Sequence, residues 1–394
     1  MPFFVLAHCA HHLLTALPGP MMPFIQEDFG LSYTEVSLVL ASFSLVYGFS
    51  QLPAGWLASR IGPRILLMAG ILGVAVVGVL VGISQTYIMM LVFMGLMGLV
   101  AGGYHPSAST LISAWVEPEK RGRALGFHLI GGNASFFLAP LVGAGIAAAW
   151  GWRYSFIGLA IPTVILGVIF YIYMARWGSG GQAWKVKAEH HDEAPMAPTN
   201  RRNLIIFLIL IIIAGGAGMS IMMFMPLYIV DQFGVSKQTA SSMLSIVFGT
   251  GLIASPLGGY LSDRIGRIRI ILVVTLLAGI FIYLLKYVPY GWGIGDLFYI
   301  NGLGIGFMML IIGICNSVRM PVSESYIGRQ TTTRNRSTVF GIYFFAMQEA
   351  GAAFAPIYGY LVDNYGFHYC FTVVSIVVVA VTVVCSALLW RSKD

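Results

Sequence analysis

Apolar runs approaching twenty residues recur along nearly the whole chain, and they constrain the fold more than any other feature. They do not alternate in ten-residue segments, so they read as membrane-spanning helices and not as barrel strands. Twelve are expected, at residues 3–25, 36–58, 65–84, 87–115, 124–149, 154–175, 203–230, 240–261, 270–288, 297–325, 338–362 and 369–390. Of the 394 residues, 58% are apolar and 9% are charged, against about 25% charged in an ordinary soluble domain. A water-exposed globule is excluded, because its surface could not be made polar. The expected class is an all-α integral membrane protein, resident in a bacterial or archaeal inner membrane with the lipid bilayer as its solvent.

The formal net charge of +7 is explained by topology and not by a nucleic-acid partner. With a cytoplasmic N-terminus, all of the 22 Lys and Arg residues except Arg153, Lys237, Lys286 and Arg319 fall in inner loops, the central linker or the C-terminal tail. Such placement sets orientation, so both termini are expected in the cytoplasm. Residues 176–202 form the one expected linker, rich in Gly, Lys, His and Pro; a segment of that composition cannot bury itself. Its His190-His191 pair reads as solvated, with metal binding the weaker alternative. The four cysteines lie in apolar runs without a CxxC pair, so neither a disulfide framework nor a zinc site is suggested.

The two halves repeat. Gly55-Trp56-Leu57-Ala58-Ser59-Arg60-Ile61-Gly62 returns as Gly259-Tyr260-Leu261-Ser262-Asp263-Arg264-Ile265-Gly266. Residues 106–126 match 321–341 without a gap, and the match resumes at Gly151 against Gly366. The expected organisation is a six-helix bundle over 1–175, a cytoplasmic linker over 176–202 and a second bundle over 203–394. Two such halves in parallel are a signature of secondary transporters, which bind substrate near mid-membrane and rock to expose it alternately.

On these motifs the whole chain resembles the major facilitator superfamily. Its G-x-L-a-D-R-x-G-R loop pattern is intact at Gly259, Leu261, Asp263, Arg264, Gly266 and Arg267; the first copy keeps Arg60 and Arg64 but has Ser59 in place of the acid. The resemblance implies that Arg60, Arg64, Asp263, Arg264 and Arg267 gate the cytoplasmic side, with the N-terminal latch weaker for want of a charge at Ser59. It also implies that spans one, four, seven and ten line the cavity. A closer similarity is to the fosmidomycin-resistance-like exporters, carried by His8 before Pro23, by Gln51, Pro53 and Gly55, by His105-Pro106, by Arg121-Gly122-Arg123-Ala124, and by Gly131-Gly132-Asn133 and Pro140. Where such relatives carry an acid in span one, this chain has His12. Span five fits the antiporter glycine pattern in part, with Gly126, Pro140 and Gly143 present and Ser135, Ala139 and Ala144 standing in as other small residues. The span-four arginine of many drug/proton antiporters is replaced by Met94.

An ionisable group within a span costs roughly 2.5–3.5 kcal/mol at the bilayer centre, so each one calls for a role. Glu349 lies about 16 Å into a helix starting at residue 338, at 1.5 Å per residue, near the midplane of a ~30 Å core. A charged carboxylate is costly there and a neutral one is cheap, which suits a proton carrier; structural hydrogen bonding is the alternative. Arg319 either snorkels to the cytoplasmic face or clamps an anion with its planar fork. His8, His11 and His12 share a helical face at i,i+3 and i,i+4, where they relay protons, bind an anion or simply pack. The spacing also suggests metal, but no acidic cluster accompanies it and Cys9 lies off that face, so no metal is expected. His105, Asn133 and Gln348 complete the expected substrate-facing set with His8, His12 and Arg319, while Glu349 and His12 are expected to couple protons.

No catalytic triad, phosphate-binding loop or metalloprotease motif appears, so the chain is not expected to be an enzyme or to carry a cofactor. A receptor or an intramembrane enzyme would leave the duplicated loops unexplained. The expected function is proton-coupled export of a small organic anion or zwitterion by a monomeric antiporter using alternating access. Uptake of a small carboxylate by proton symport is the alternative.

Overall fold

Hydrocarbon offers no partner to a backbone N–H or C=O, so each apolar run must satisfy its own backbone as a helix. In the computed structural model, residues 2–117, 121–177, 198–294, 298–331 and 336–389 are described. The helices are α1 (Pro2–Thr15), α2 (Pro18–Phe29), α3 (Tyr33–Ile61), α4 (Pro63–Gly82), α5 (Tyr87–Ala101), α6 (Tyr104–Trp115), α7 (Arg121–Trp150) and α8 (Trp152–Trp177). Then come α9 (Pro198–Leu210), α10 (Gly216–Phe233), α11 (Lys237–Ser242), α12 (Leu244–Gly249), α13 (Gly251–Ile265), α14 (Arg267–Leu284), α15 (Leu303–Gln330) and α16 (Arg336–Leu389). A π-helical turn, Ile211–Gly215, joins α9 to α10. Among the described residues the only sheet is a hairpin of β1 (Trp292–Ile294) and β2 (Phe298–Ile300), with Trp292 opposite Ile300.

Ten helical stretches among the described residues are long and apolar enough to cross a membrane. Two local features account for the difference from twelve expected runs. The first run is divided into α1 and α2, because Pro18 and Pro20 have no N–H to continue the ladder. The last two runs are joined as α16, with Gly366 (φ 79°, ψ 169°) as the non-helical residue between them. The tenth run begins at Leu303 and not at 297, since 298–300 are drawn into the hairpin. Most of the expected linker, 178–197, lies outside the described residues.

The repeated sequence is also a repeated backbone. Gly62 ends α3 at φ 92°, ψ 137°, and Gly266 ends α13 at φ 106°, ψ 136°. Gly151 and Gly366 match at φ 97° and 79°, and Gly30 and Gly234 at 64° and 63°. L side chains rarely adopt these angles, so glycine marks equivalent turns in both halves. A serine caps the helix that follows the last pair. Ser32 forms a reciprocal box with Glu35, and the Ser236 hydroxyl accepts from the Thr239 amide at 3.1 Å.

The chain divides into two compact units, Met1–Lys185 with Met223–Ser245, and Val186–Met222 with Ile246–Asp394. In the first, α1 packs on α7 and α8, α3 on α5, and α4 on α8. Residues 223–245 are held in that unit by Ser241 Oγ donating to the Pro20 carbonyl (2.6 Å), by Ser245 Oγ donating to the Phe137 carbonyl (2.7 Å), and by a Lys237–Glu27 ion pair. In the second, α14 packs on α15 and α16, and α13 on α15. Large apolar side chains point outward, with Ile253 71% and Ile88 65% exposed; lipid accepts such a surface and water does not.

Candidate functional site

A cluster of polar rings is buried where side chains of α1, α6 and α7 meet in the first unit. Helical spacing puts His8, His11 and His12 on α1, the start of α6 supplies Tyr104 and His105, and α7 supplies His128. Close approach is possible because α7 carries glycines there. A Cβ on Gly131 would run into the Val5 carbonyl, and one on Gly132 would lie 2.7 Å from the His8 ring. The His8 ring stacks on His128 at 4.1 Å between centroids and 13° between planes, and His11 stacks on Tyr104 at 4.2 Å and 11°.

Hydrogen bonds assign the tautomers. Nδ1 of His8 faces the His128 carbonyl at 2.8 Å, Nδ1 of His11 the Gly70 carbonyl at 3.3 Å, and Nδ1 of His128 the Phe4 carbonyl at 3.1 Å. A carbonyl only accepts, so each Nδ1 carries the proton and each neutral ring offers a lone pair at Nε2. His12 reaches the same state through Thr15. The Thr15 hydroxyl donates to the His11 carbonyl (3.4 Å) and so accepts from His12 Nδ1 at 2.9 Å. His12 Nε2 then lies 3.3 Å from His105 Nε2. Nε2 of His8, His11 and His128 has no hydrogen-bond partner, a condition costing about 1–3 kcal/mol per buried group. The arrangement presents acceptor nitrogens to a proton, a solute donor or a metal ion.

In the second unit Arg319 is buried at 6% exposure on α15, with Nη2 3.5 Å from where a Gly215 Cβ would stand. Among the described residues no carboxylate pairs with it. Glu349 lies on α16 beside Ala350, which packs against Gly216, and its Oε1 is buried without a partner. Arg319 and Glu349 form no ion pair with each other.

At the repeated loops, Asp263 pairs with Arg267, the first residue of α14, and Arg267 Nε donates to Ser325 Oγ at 2.7 Å. The guanidinium of Arg60 lies 4.4 Å over the Trp56 ring, and that of Arg264 lies 4.5 Å over Tyr260, so the same cation–π contact occurs in both copies. Arg64 sits 5.1 Å over Tyr171. The second loop therefore has an acid–arginine pair, whereas the arginines of the first rest on aromatic faces.

Of the residues expected to face substrate, the structure brings together His8, His12 and His105. Asn133 is exposed on α7 and makes no hydrogen bond among the described residues, and the side chain of Gln348 lies outside them. Sequence spacing put His11 on the His8 face but did not bring in His128, Tyr104 or Thr15. Thr15 was reachable, at i+3 from His12; His128 and Tyr104 join only through tertiary packing.

A profile described as Major Facilitator Superfamily matches residues 4–312 and 307–394. Multidrug resistance protein MdtG of Enterobacter lignolyticus is 27% identical over 374 residues, covering 92% of this chain and 85% of that protein. The protein of the same name from Rahnella sp. is 28% identical over 369 residues, covering 91% and 86%. Among solved structures, a POT family transporter in complex with a thioalcohol-conjugated peptide superposes with a TM-score of 0.80 at 14% identity, covering 100% of this chain and 96% of that one. Nucleoside transporter NupG superposes at 0.77 and 13% identity, covering 98% of each chain. At those identities the structural likeness establishes the fold.

Proposed function

The chain belongs to the Major Facilitator Superfamily, a family of transporters and not of enzymes, and on that premise we propose that it exports a small organic anion or zwitterion in exchange for protons. Arg319 carries the reading. A guanidinium stays charged at any working pH, and this one is buried in an apolar helix without a carboxylate partner among the described residues. A buried unpaired charge is costly, and an anionic solute would relieve it. Glu349, with Oε1 buried and unpartnered, supplies a carboxyl whose protonation can be tied to transport. Export is supported by the multidrug-resistance relatives and by the sequence similarity to fosmidomycin-resistance-like exporters. In this reading Asp263, Arg264 and Arg267 form the stronger cytoplasmic latch, Arg60 and Arg64 the weaker, and both termini are cytoplasmic.

The test is expression in a bacterium lacking its own drug exporters, with intracellular accumulation of labelled small phosphonates, carboxylates and zwitterions followed. Expression should lower accumulation of at least one, and a protonophore should restore it. Raised accumulation would replace export by uptake. Lowered accumulation of cationic dyes alone would remove the anion assignment.

A further inference from the structure

We propose that the histidine cluster of the first unit is a binding site for a divalent first-row transition-metal ion of the zinc class, held by Nε2 of His8, His12 and His105. The proposal does not depend on which solute is carried. The ligand atoms of these three residues all lie within 4.8 Å of one another. Zinc–imidazole bonds of about 2.0–2.1 Å in a tetrahedron put neighbouring nitrogens about 3.3–3.4 Å apart. His12 Nε2 and His105 Nε2 are already 3.3 Å apart. His8 completes the set through its unpartnered Nε2, with Nδ1 kept on the His128 carbonyl.

Outer hydrogen bonds already fix two of the three rings. Metal-binding imidazoles characteristically donate their other N–H to a fixed acceptor, which sets the tautomer and raises ligand basicity. His8 does so to the His128 carbonyl and His12 to the Thr15 hydroxyl, itself held by the His11 carbonyl. His105 Nε2–H bridges to His12 when no ion is bound. On loading, that proton moves to His105 Nδ1, and all three ligands remain neutral imidazoles.

The donor set selects the ion. Among the described residues no carboxylate or thiolate joins the three imidazoles, which disfavours magnesium and calcium and suits zinc, nickel or copper. Three protein ligands leave a fourth position for water or a solute donor. Because the ligands are neutral the ion keeps its full charge, so an anion is the favoured fourth ligand. His8 and His12 lie on α1 and His105 on α6, beside the breaks at Ala16–Leu17 and Gly102–Gly103. An ion there would tie the two helices at their interruptions.

Full-length protein in detergent, stripped of metal and titrated with Co²⁺, should develop the visible bands of a four-coordinate ion, saturating at one equivalent and displaced by Zn²⁺. The linker double variant His190→Ala, His191→Ala should keep the bands, and His105→Ala should weaken Co²⁺ binding by about tenfold or more. If His105→Ala does not fold, zinc-edge X-ray absorption on the zinc-loaded linker variant counts the imidazoles directly, with three expected. No bands at millimolar Co²⁺, bands lost with the linker pair but kept in His105→Ala, or a single imidazole at the zinc edge would each overturn the site. The cluster would then be hydrogen-bonded packing alone.

Discussion

Replacing Asp263 with Asn removes one charge from the pair that links the end of α13 to the start of α14. Each partner sits at the unfavourable end of its own helix, an acid in the last turn of α13 and a cation at the first residue of α14. Together they cancel that penalty. The Asp263 side chain is 64% exposed and that of Arg267 only 9%, so solvent screens the pair and its direct contribution falls in the range of about 0.2–1 kcal/mol. Leaving Arg267 uncompensated at a helix N-terminus adds about 0.3–1 kcal/mol, and relieving the acid at the end of α13 subtracts a similar amount, while the bond from Arg267 to Ser325 persists. The net is therefore the pair term, at most about 1 kcal/mol, or up to roughly fivefold in an equilibrium constant. If the pair latches one gate state, Asp263→Asn should change the initial transport rate by about that factor. Ser59→Ala, which removes no charge, should stay within about 0.5 kcal/mol in stability and near wild type in transport. Initial rates in proteoliposomes, with thermal unfolding of both variants, make the comparison. Equal effects on transport would refute the asymmetry between the loops.

Glu349→Gln should abolish solute accumulation against a gradient while leaving solute exchange measurable, as read by counterflow in proteoliposomes; unchanged pH dependence with active accumulation would make the carboxyl structural. Arg319→Lys should weaken binding of an anionic solute, because a compact ammonium cannot reproduce the guanidinium fork; unaltered affinity by scintillation proximity would remove Arg319 from the site. Gly132→Ala should destabilise the protein by about 1–3 kcal/mol, since the new methyl meets the His8 ring. Gly126→Ala, which meets nothing within 4 Å, should be near neutral; equal losses in thermal unfolding would show that the α1–α7 approach is not tight at Gly132.

The helical class and the duplication were legible because both rest on local rules. Long apolar runs have few ways to satisfy their backbones, and Gly62 and Gly266 recur because the same left-handed turn is needed twice. The break in the first run was written in Pro18 and Pro20, yet apolar continuity concealed it. The hairpin at 292–300 was hidden for the same reason, since its second strand reads as the start of a span. Helical spacing placed His8 beside His12 but could not supply His105 as a third ligand, which arrives through a side-chain contact across 93 residues of sequence. That missing partner is why the span-one histidines did not suggest a metal site strongly. Glu349 was singled out from depth alone, whereas the absence of an ion pair with Arg319 depends on how α15 and α16 pack.

Coupling of solute movement to protons is the central claim, and the most direct measurement is internal pH in liposomes containing the purified transporter. With a pH-sensitive dye trapped inside and no imposed gradient, adding a transported anion or zwitterion outside should move internal pH in wild-type vesicles. Protein-free vesicles and vesicles with Glu349→Gln should show no change. Solute entry at full rate, measured in parallel with label, without any change of internal pH would contradict the account.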